Sequence, residues 1–178
     1  MSTTLYDLSV GSYTQVLTSA LNVLEKGKSF CEKNGIPMKD ILETRLRDDM
    51  QALYFQIVSL NHHSARALDA VMDGEFLPPM EAFGHEITEQ DYEELLERTR
   101  ASIAQMNAAE ADVINARSGE TIIFKLGKNE MPFTTENFVL SFSLPNFYFH
   151  ATTLYDILRM KGVQLGKMDF LGQMKMGV

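Results

Sequence analysis

The segment from Phe138 to Leu158 is apolar almost all round and carries a proline in its middle. On a helical wheel Phe138, Leu140, Phe142, Phe147, Phe149, Leu154 and Leu158 point several ways. Such a helix is buried on most sides or shared with a subunit interface, so the chain must supply other helices to surround it. It starts near Thr134 or Thr135, with Glu136 in its first turn, and Gly162 ends it after Lys161. Pro145 removes one backbone bond and clashes with the carbonyl of Ser141, which predicts a kink or a local widening there.

Three more helices are legible. Tyr13, Val16, Leu17, Ala20, Leu21 and Leu24 lie on one face of a helix from about Leu5 to Lys33, stopped by Asn34-Gly35-Ile36-Pro37. Leu46, Met50, Leu53, Ile57, Leu60, Ser64, Leu68 and Val71 form the stripe of a second, from about Asp40 to Met72, stopped at Asp73-Gly74. Residues 75–87, with Pro78-Pro79 and Gly84, make a long connector. Thr88-Glu89-Gln90-Asp91 resembles a capping box opening a third helix that runs to about Ala108. Glu120 to Leu126 is β-branched and apolar, Gly127-Lys128-Asn129-Glu130 is a turn, and Met131-Pro132-Phe133 returns. This predicts a small β-hairpin before the last helix, one that must lean on the helices to be stable. The expected fold is therefore all-α: a four-helix bundle with an inserted hairpin, in one domain over residues 1–178, its Gly- and Met-rich tail 163–178 wrapping the bundle.

Composition narrows the function. The net charge of −8 and the lack of a basic stripe argue against nucleic acid. No run of about 18 apolar residues spans a membrane. Residues 1–10 lack the basic and apolar regions of a secretory signal, so the cytoplasm is the expected compartment. Cys31 is the only cysteine, which excludes an intramolecular disulfide and any multi-cysteine metal site. Residues 81–112 hold nine acidic and two basic side chains, the pattern of a solvated helix face.

The chemistry-bearing candidates are histidines. With the Leu46 stripe as zero, His62 falls at about 160°, away from the core beside Phe55, and His63 at about 260°, on its flank. Asp49, Gln56 and His63 share one polar column at a spacing of seven, and Arg45 pairs with Asp49 at i, i+4. On the last helix Asn146 and His150 are also i, i+4, and Thr153 continues that strip. Polar groups amid this much aromatic surface need partners, and a neutral histidine shuttles protons or binds metal near pH 7. Tyr148, Tyr155 and Asp156 lie on other faces of the same helix, the place of packing or interface residues. No local metal, phosphate-loop or nucleophile-elbow motif is present.

Leu144-Pro145-Asn146-Phe147-Tyr148-Phe149-His150, Tyr155-Asp156-Ile157-Leu158-Arg159 and Gly162 to Gly172 resemble the ending of the DUF1993 family, grouped with the DinB/YfiT-like helical bundles. Leu5 to Val10 and Arg45 to Met50 are similar to its opening segments. The resemblance implies a DinB/YfiT-like four-helix bundle, a homodimer, with a pocket between helices. Many DinB-like proteins hold a divalent metal with one histidine on the second helix and a His-x-x-x-His pair on the last. Here Asn146-x-x-x-His150 stands in the place of that pair, and the residue four after His150 is Leu154. The leading expectation is a small-molecule-binding protein with His150 as acid or base and Asn146 beside it. Gln56, Asp49, His63, Tyr148 and Thr153 contact the ligand, and isomerase, cyclase or dehydratase chemistry suits the aromatic lining. The alternatives are a zinc- or nickel-dependent transferase or hydrolase with His63 and His150 as ligands, and a non-catalytic dimeric interaction protein.

Overall fold

A computed structural model describes residues 3–177. Met1, Ser2 and Val178, the ends of the span expected to form one domain, lie outside the described residues. Thr4 opens the first element with a capping box. Its hydroxyl accepts from the Asp7 N–H, and the Asp7 carboxylate accepts from the Thr4 N–H. The first helix was expected to be continuous; it is divided. α1 (Leu5–Leu8) ends where the Ser9 hydroxyl donates back to the Leu5 carbonyl, and α2 (Val10–Asn34) follows. Gly35, at φ 64°, takes the left-handed position that closes α2. A short α3 (Met38–Leu42) comes next.

The second long helix begins at Leu53, not Asp40. Residues 43–52 are non-helical because local bonds compete with the helical ladder. The Thr44 hydroxyl donates to the Asp40 carbonyl, Leu53 N–H reaches the Thr44 carbonyl, and the Arg45 guanidinium reaches the Met50 carbonyl. From Leu53 the run is α4 (Leu53–Asn61), a π-helical turn (His62–Arg66) and α5 (Ala67–Asp73). Gly74 (φ 78°) ends it and leads straight into β1 (Glu75–Phe76).

α6 (Asp91–Ala108) starts three residues after Thr88. Thr88 donates both its N–H and its hydroxyl to the Asp91 carboxylate, so only half of the expected reciprocal box forms. Its acidic face is solvated and laced with ion pairs, among them Lys28–Glu93 at 2.5 Å and Arg100–Glu25 at 3.1 Å. After α7 (Ala111–Asn115), β2 (Thr121–Leu126) and β3 (Asn129–Thr134) pair antiparallel around the Gly127-Lys128 turn. The expected hairpin is thus present, but β1 joins β2 in parallel, which makes a three-stranded sheet in the order β1-β2-β3. The sheet carries Phe76 and Phe124 onto Phe142 at 5.9 and 4.7 Å between ring centroids, and this is how the hairpin leans on the helices.

The last long element is α8 (Thr135–Asn137), a π-helical segment (Phe138–Ser143) and α9 (Leu144–Met160). The widening expected from Pro145 is that π segment, which ends one residue before α9 and two before the proline. A short α10 (Lys167–Leu171) folds back onto α2, where Gln15 and Ser19 donate to the carbonyls of Leu171 and Phe170. The long helices pack as α2–α6, α4–α9, α2–α9 and α4–α6. Close approach at α2–α6 depends on Gly27, where a Cβ would lie 2.6 Å from the Tyr92 hydroxyl. The protein is mostly helical, and among the described residues no helix is long and apolar enough to cross a membrane.

Burial is distributed differently from the sequence expectation. α9 has an open face at Tyr148, Phe149, Thr152, Asp156 and Met160. The surrounded element is the second run, in which every residue from Gln56 to Ser64 is buried. The two π turns meet there. Ser143 Oγ accepts from the Tyr13 hydroxyl (2.8 Å) and donates to the His63 carbonyl (2.7 Å), joining α2 to both turns. Ser143→Ala leaves a buried hydroxyl and a buried carbonyl without partners, and we expect it to cost about 2 kcal/mol in urea unfolding. Tyr13→Phe removes a single donor and should cost about 1 kcal/mol. A Ser143→Ala loss no larger than that of Tyr13→Phe would mean the His63 carbonyl is satisfied otherwise.

Candidate functional site

The π turn His62–Arg66 changes which side chains face inward. An i→i+5 turn inserts a residue into the α-helical pattern, so two consecutive side chains enter the core together. His62 was expected on the outer face and His63 on a flank; both are buried. His63 lies between His62 and His150, with ring centroids 5.6 and 5.8 Å away, and the rings of His63 and His150 are within 16° of parallel. Phe76 from β1 and Phe142 from the second π segment each stand 5.5 Å from His63. Phe55 and Phe149 lie 6.0 and 5.3 Å from His150. The cluster sits one side chain below the surface: Phe149 is 54% exposed, and Phe83, 51% exposed, packs on Phe55.

Hydrogen bonds fix the protonation pattern. Gln56 Nε2 donates to the Gln51 carbonyl at 2.9 Å, which turns Gln56 Oε1 toward His150. That oxygen accepts from His150 Nδ1–H at 2.8 Å, so the neutral ring keeps its lone pair on Nε2. His62 Nε2–H donates to the Leu77 carbonyl at 2.6 Å, which leaves its lone pair on Nδ1. His63 Nδ1 is buried and has no hydrogen-bond partner among the described residues. Burial lowers all three histidine pKa values: to about 3 for His63, where His150 and His62 add to the effect, and to about 4 for His150, where His62 adds. At neutral pH the cluster is three uncharged imidazoles that exchange hydrogen bonds without taking up protons.

The structure brings together three of the sequence candidates, His150, His63 and Gln56. The others lie apart or are engaged with backbone. Asn146 is half-buried, and its Nδ2 donates to the Phe142 carbonyl at 2.7 Å, where the π segment meets α9. The Thr153 hydroxyl donates to the Phe149 carbonyl at 2.8 Å. Tyr148 is 40% exposed on the open face of α9. Asp49 is exposed in the non-helical stretch before α4, so the column of seven it was to share with Gln56 and His63 does not form, nor does its pair with Arg45. The sequence reading missed His62, the aromatic wall of Phe55, Phe76 and Phe142, and the carbonyls of Gln51 and Leu77.

The model of the family described as Domain of unknown function (DUF1993) matches residues 5–171. The chain belongs to the DUF1993 family. A crystal structure of a DinB family member protein from Shewanella denitrificans is similar to this DUF1993 chain at a TM-score of 0.76 and 24% identity, covering 98% of this chain and 95% of that one. That likeness establishes a helical DinB-like fold. No curated protein matches.

The metal that DinB-like proteins imply does not fit these residues. Among the described residues no group of three His, Cys, Asp or Glu side chains is arranged to hold a metal ion. Asn146, in the position of one expected ligand, is engaged with the Phe142 carbonyl, and both heteroatoms of the Gln56 amide are taken by Gln51 and His150.

The lowered histidine pKa values set the acid limb of stability. Below about pH 6.5 the unfolded chain protonates these rings while the folded one does not, so stability falls as the pH drops from there toward 4. His63→Phe keeps an aromatic ring and removes one titrating group. We expect its melting temperature to fall less between pH 7 and pH 4.5 than that of the parent; an unchanged slope would mean that His63 titrates normally.

Proposed function

We propose that this DUF1993 chain is a four-helix-bundle protein that binds a small organic molecule at the histidine cluster between α4 and α9. The Nε2 lone pair of His150 accepts a hydrogen bond or a proton from that molecule. The observation that carries this reading is the chain from the Gln51 carbonyl through the Gln56 amide to His150 Nδ1, which selects one tautomer of a buried, neutral ring. Ordering a ring in this way has little value for packing alone, since a phenylalanine would fill the same space without polar atoms. In an acceptor site it sets the atom that meets the ligand.

Proton transfer within one bound molecule is the further step such a group could take. Isomerase, cyclase or dehydratase chemistry would need His150 Nε2 to take a proton from one position of the bound molecule and return it to another, and the ligand would have to stabilise the protonated ring, since burial holds its pKa at about 4. Gln56 is then a positioning residue, acting through His150. The Nδ1 of His63, buried and unpartnered among the described residues, lies in the same cluster.

The test is a fragment screen by ligand-observed NMR on the parent and on His150→Ala, with circular dichroism to verify the fold. We expect fragments that bind the parent and are lost in the variant at unchanged helicity. Fragments indifferent to His150, or a screen with none, would overturn the reading. Gln56→Leu gives the tautomer readout: in long-range 1H–15N spectra His150 should change from a protonated Nδ1 to the commoner protonated Nε2, and its fragments should bind more weakly. An unchanged His150 pattern would remove Gln56 from the mechanism.

A further inference from the structure

The side chains around the cluster select among ligands, and this selection rests on the binding reading above. The polar atoms offered by His150 and His63 are imidazole nitrogens, and their ring neighbours are Phe55, Phe76, Phe142 and Phe149. Among the described residues no Lys, Arg, Asp or Glu side chain forms a hydrogen bond or ion pair with any of the three histidines. Charge reaches the cluster at its His62 end through Glu81, Arg98 and Arg66. Those groups are already paired, Arg98 with Glu81 at 3.2 Å and Arg66 with Asp69 at 2.6 Å.

We propose that the ligand of this site is an uncharged, planar molecule carrying an N–H or O–H donor, such as a phenol or an N–H heteroaromatic ring. An anion would lose its hydration with no cation to replace it and would face the Nε2 lone pair of His150. A cation meets the same environment that keeps the histidine rings from taking up protons. A neutral donor loses little on transfer. Its hydrogen bond goes to His150 Nε2, and its ring face lies against phenylalanine rings at the edge-to-face or offset distances already present in the wall. A partner without a donor leaves the nitrogen unpaired.

Phenol, anisole and benzoate separate these terms, since they share a ring and differ in donor and charge. Each is titrated into 15N-histidine-labelled protein, and the shift of His150 Nε2 is followed, with His150→Ala to identify the signal. Phenol should move it. Anisole, lacking the donor, should bind about tenfold more weakly, and benzoate about a hundredfold more weakly. Benzoate binding as tightly as phenol would overturn the neutrality of the site and leave small-molecule binding standing. Anisole matching phenol would overturn the donor requirement in the same way. No shift of the His150 nitrogens with any of the three would overturn this inference and remove the support for the binding reading with it.

Discussion

Ser143 holds the site in place. Its hydroxyl joins the Tyr13 side chain on the first long helix to the His63 carbonyl on the second, at the point where two π-helical segments face each other. Each segment departs from the α-helix for its own reason. Phe138–Ser143 widens just ahead of Pro145, which removes a donor and crowds the preceding turn. His62–Arg66 widens with no proline in it, and there the extra residue lets both His62 and His63 point inward. The carbonyl that Ser143 satisfies belongs to His63 itself, so backbone geometry and ring placement are fixed by one hydroxyl. Phe142, next to Ser143, is delivered to the His63 ring by the same segment.

Burying three histidines is costly unless they remain neutral and mostly paired. The fold meets that condition with backbone and amide oxygens rather than with carboxylates: Leu77 accepts from His62, Gln56 from His150. A carboxylate in either place would favour the protonated ring and raise its pKa. An amide or carbonyl oxygen orders the ring without charging it. The same logic extends along the run, where Asn61 donates to Thr99 and the Ile57 carbonyl and accepts from Ser102. The central helix is therefore rich in polar residues and buried, with its hydrogen bonds almost completely internal.

This explains what the sequence disclosed and what it hid. Helix stops at Gly35 and Gly74, the Gly127-Lys128 hairpin and the widening before Pro145 follow from local chemistry, and each is found where that chemistry puts it. The start of the second helix at Leu53 is hidden because Leu46 and Met50 continue its apolar stripe while loop hydrogen bonds, invisible in a pattern, stop the helix short. The burial of His62 is hidden because a regular wheel cannot contain a π turn. One signal did stand in the sequence: residues 50–65 carry no Lys, Arg, Asp or Glu. A charge-free stretch of that length marks a surrounded helix even when half of it is polar. β1 escapes notice because two residues, Glu75 and Phe76, have no period.

The position of Asn146 shows how one amide can turn a candidate ligand position into a backbone support. It stands one turn before His150, where a histidine would present a second nitrogen to a metal. In its place the amide donates to the Phe142 carbonyl and supports the exit of the π segment. Gln56, across the helix interface, supplies the remaining partner, and its oxygen fixes His150 as a neutral acceptor. Each amide removes a potential ligand and adds a hydrogen bond that orders the chain. What is left is a single oriented nitrogen on His150, one orphaned nitrogen on His63 and a wall of aromatic rings. Such a set is short of metal ligands and rich in aromatic surface.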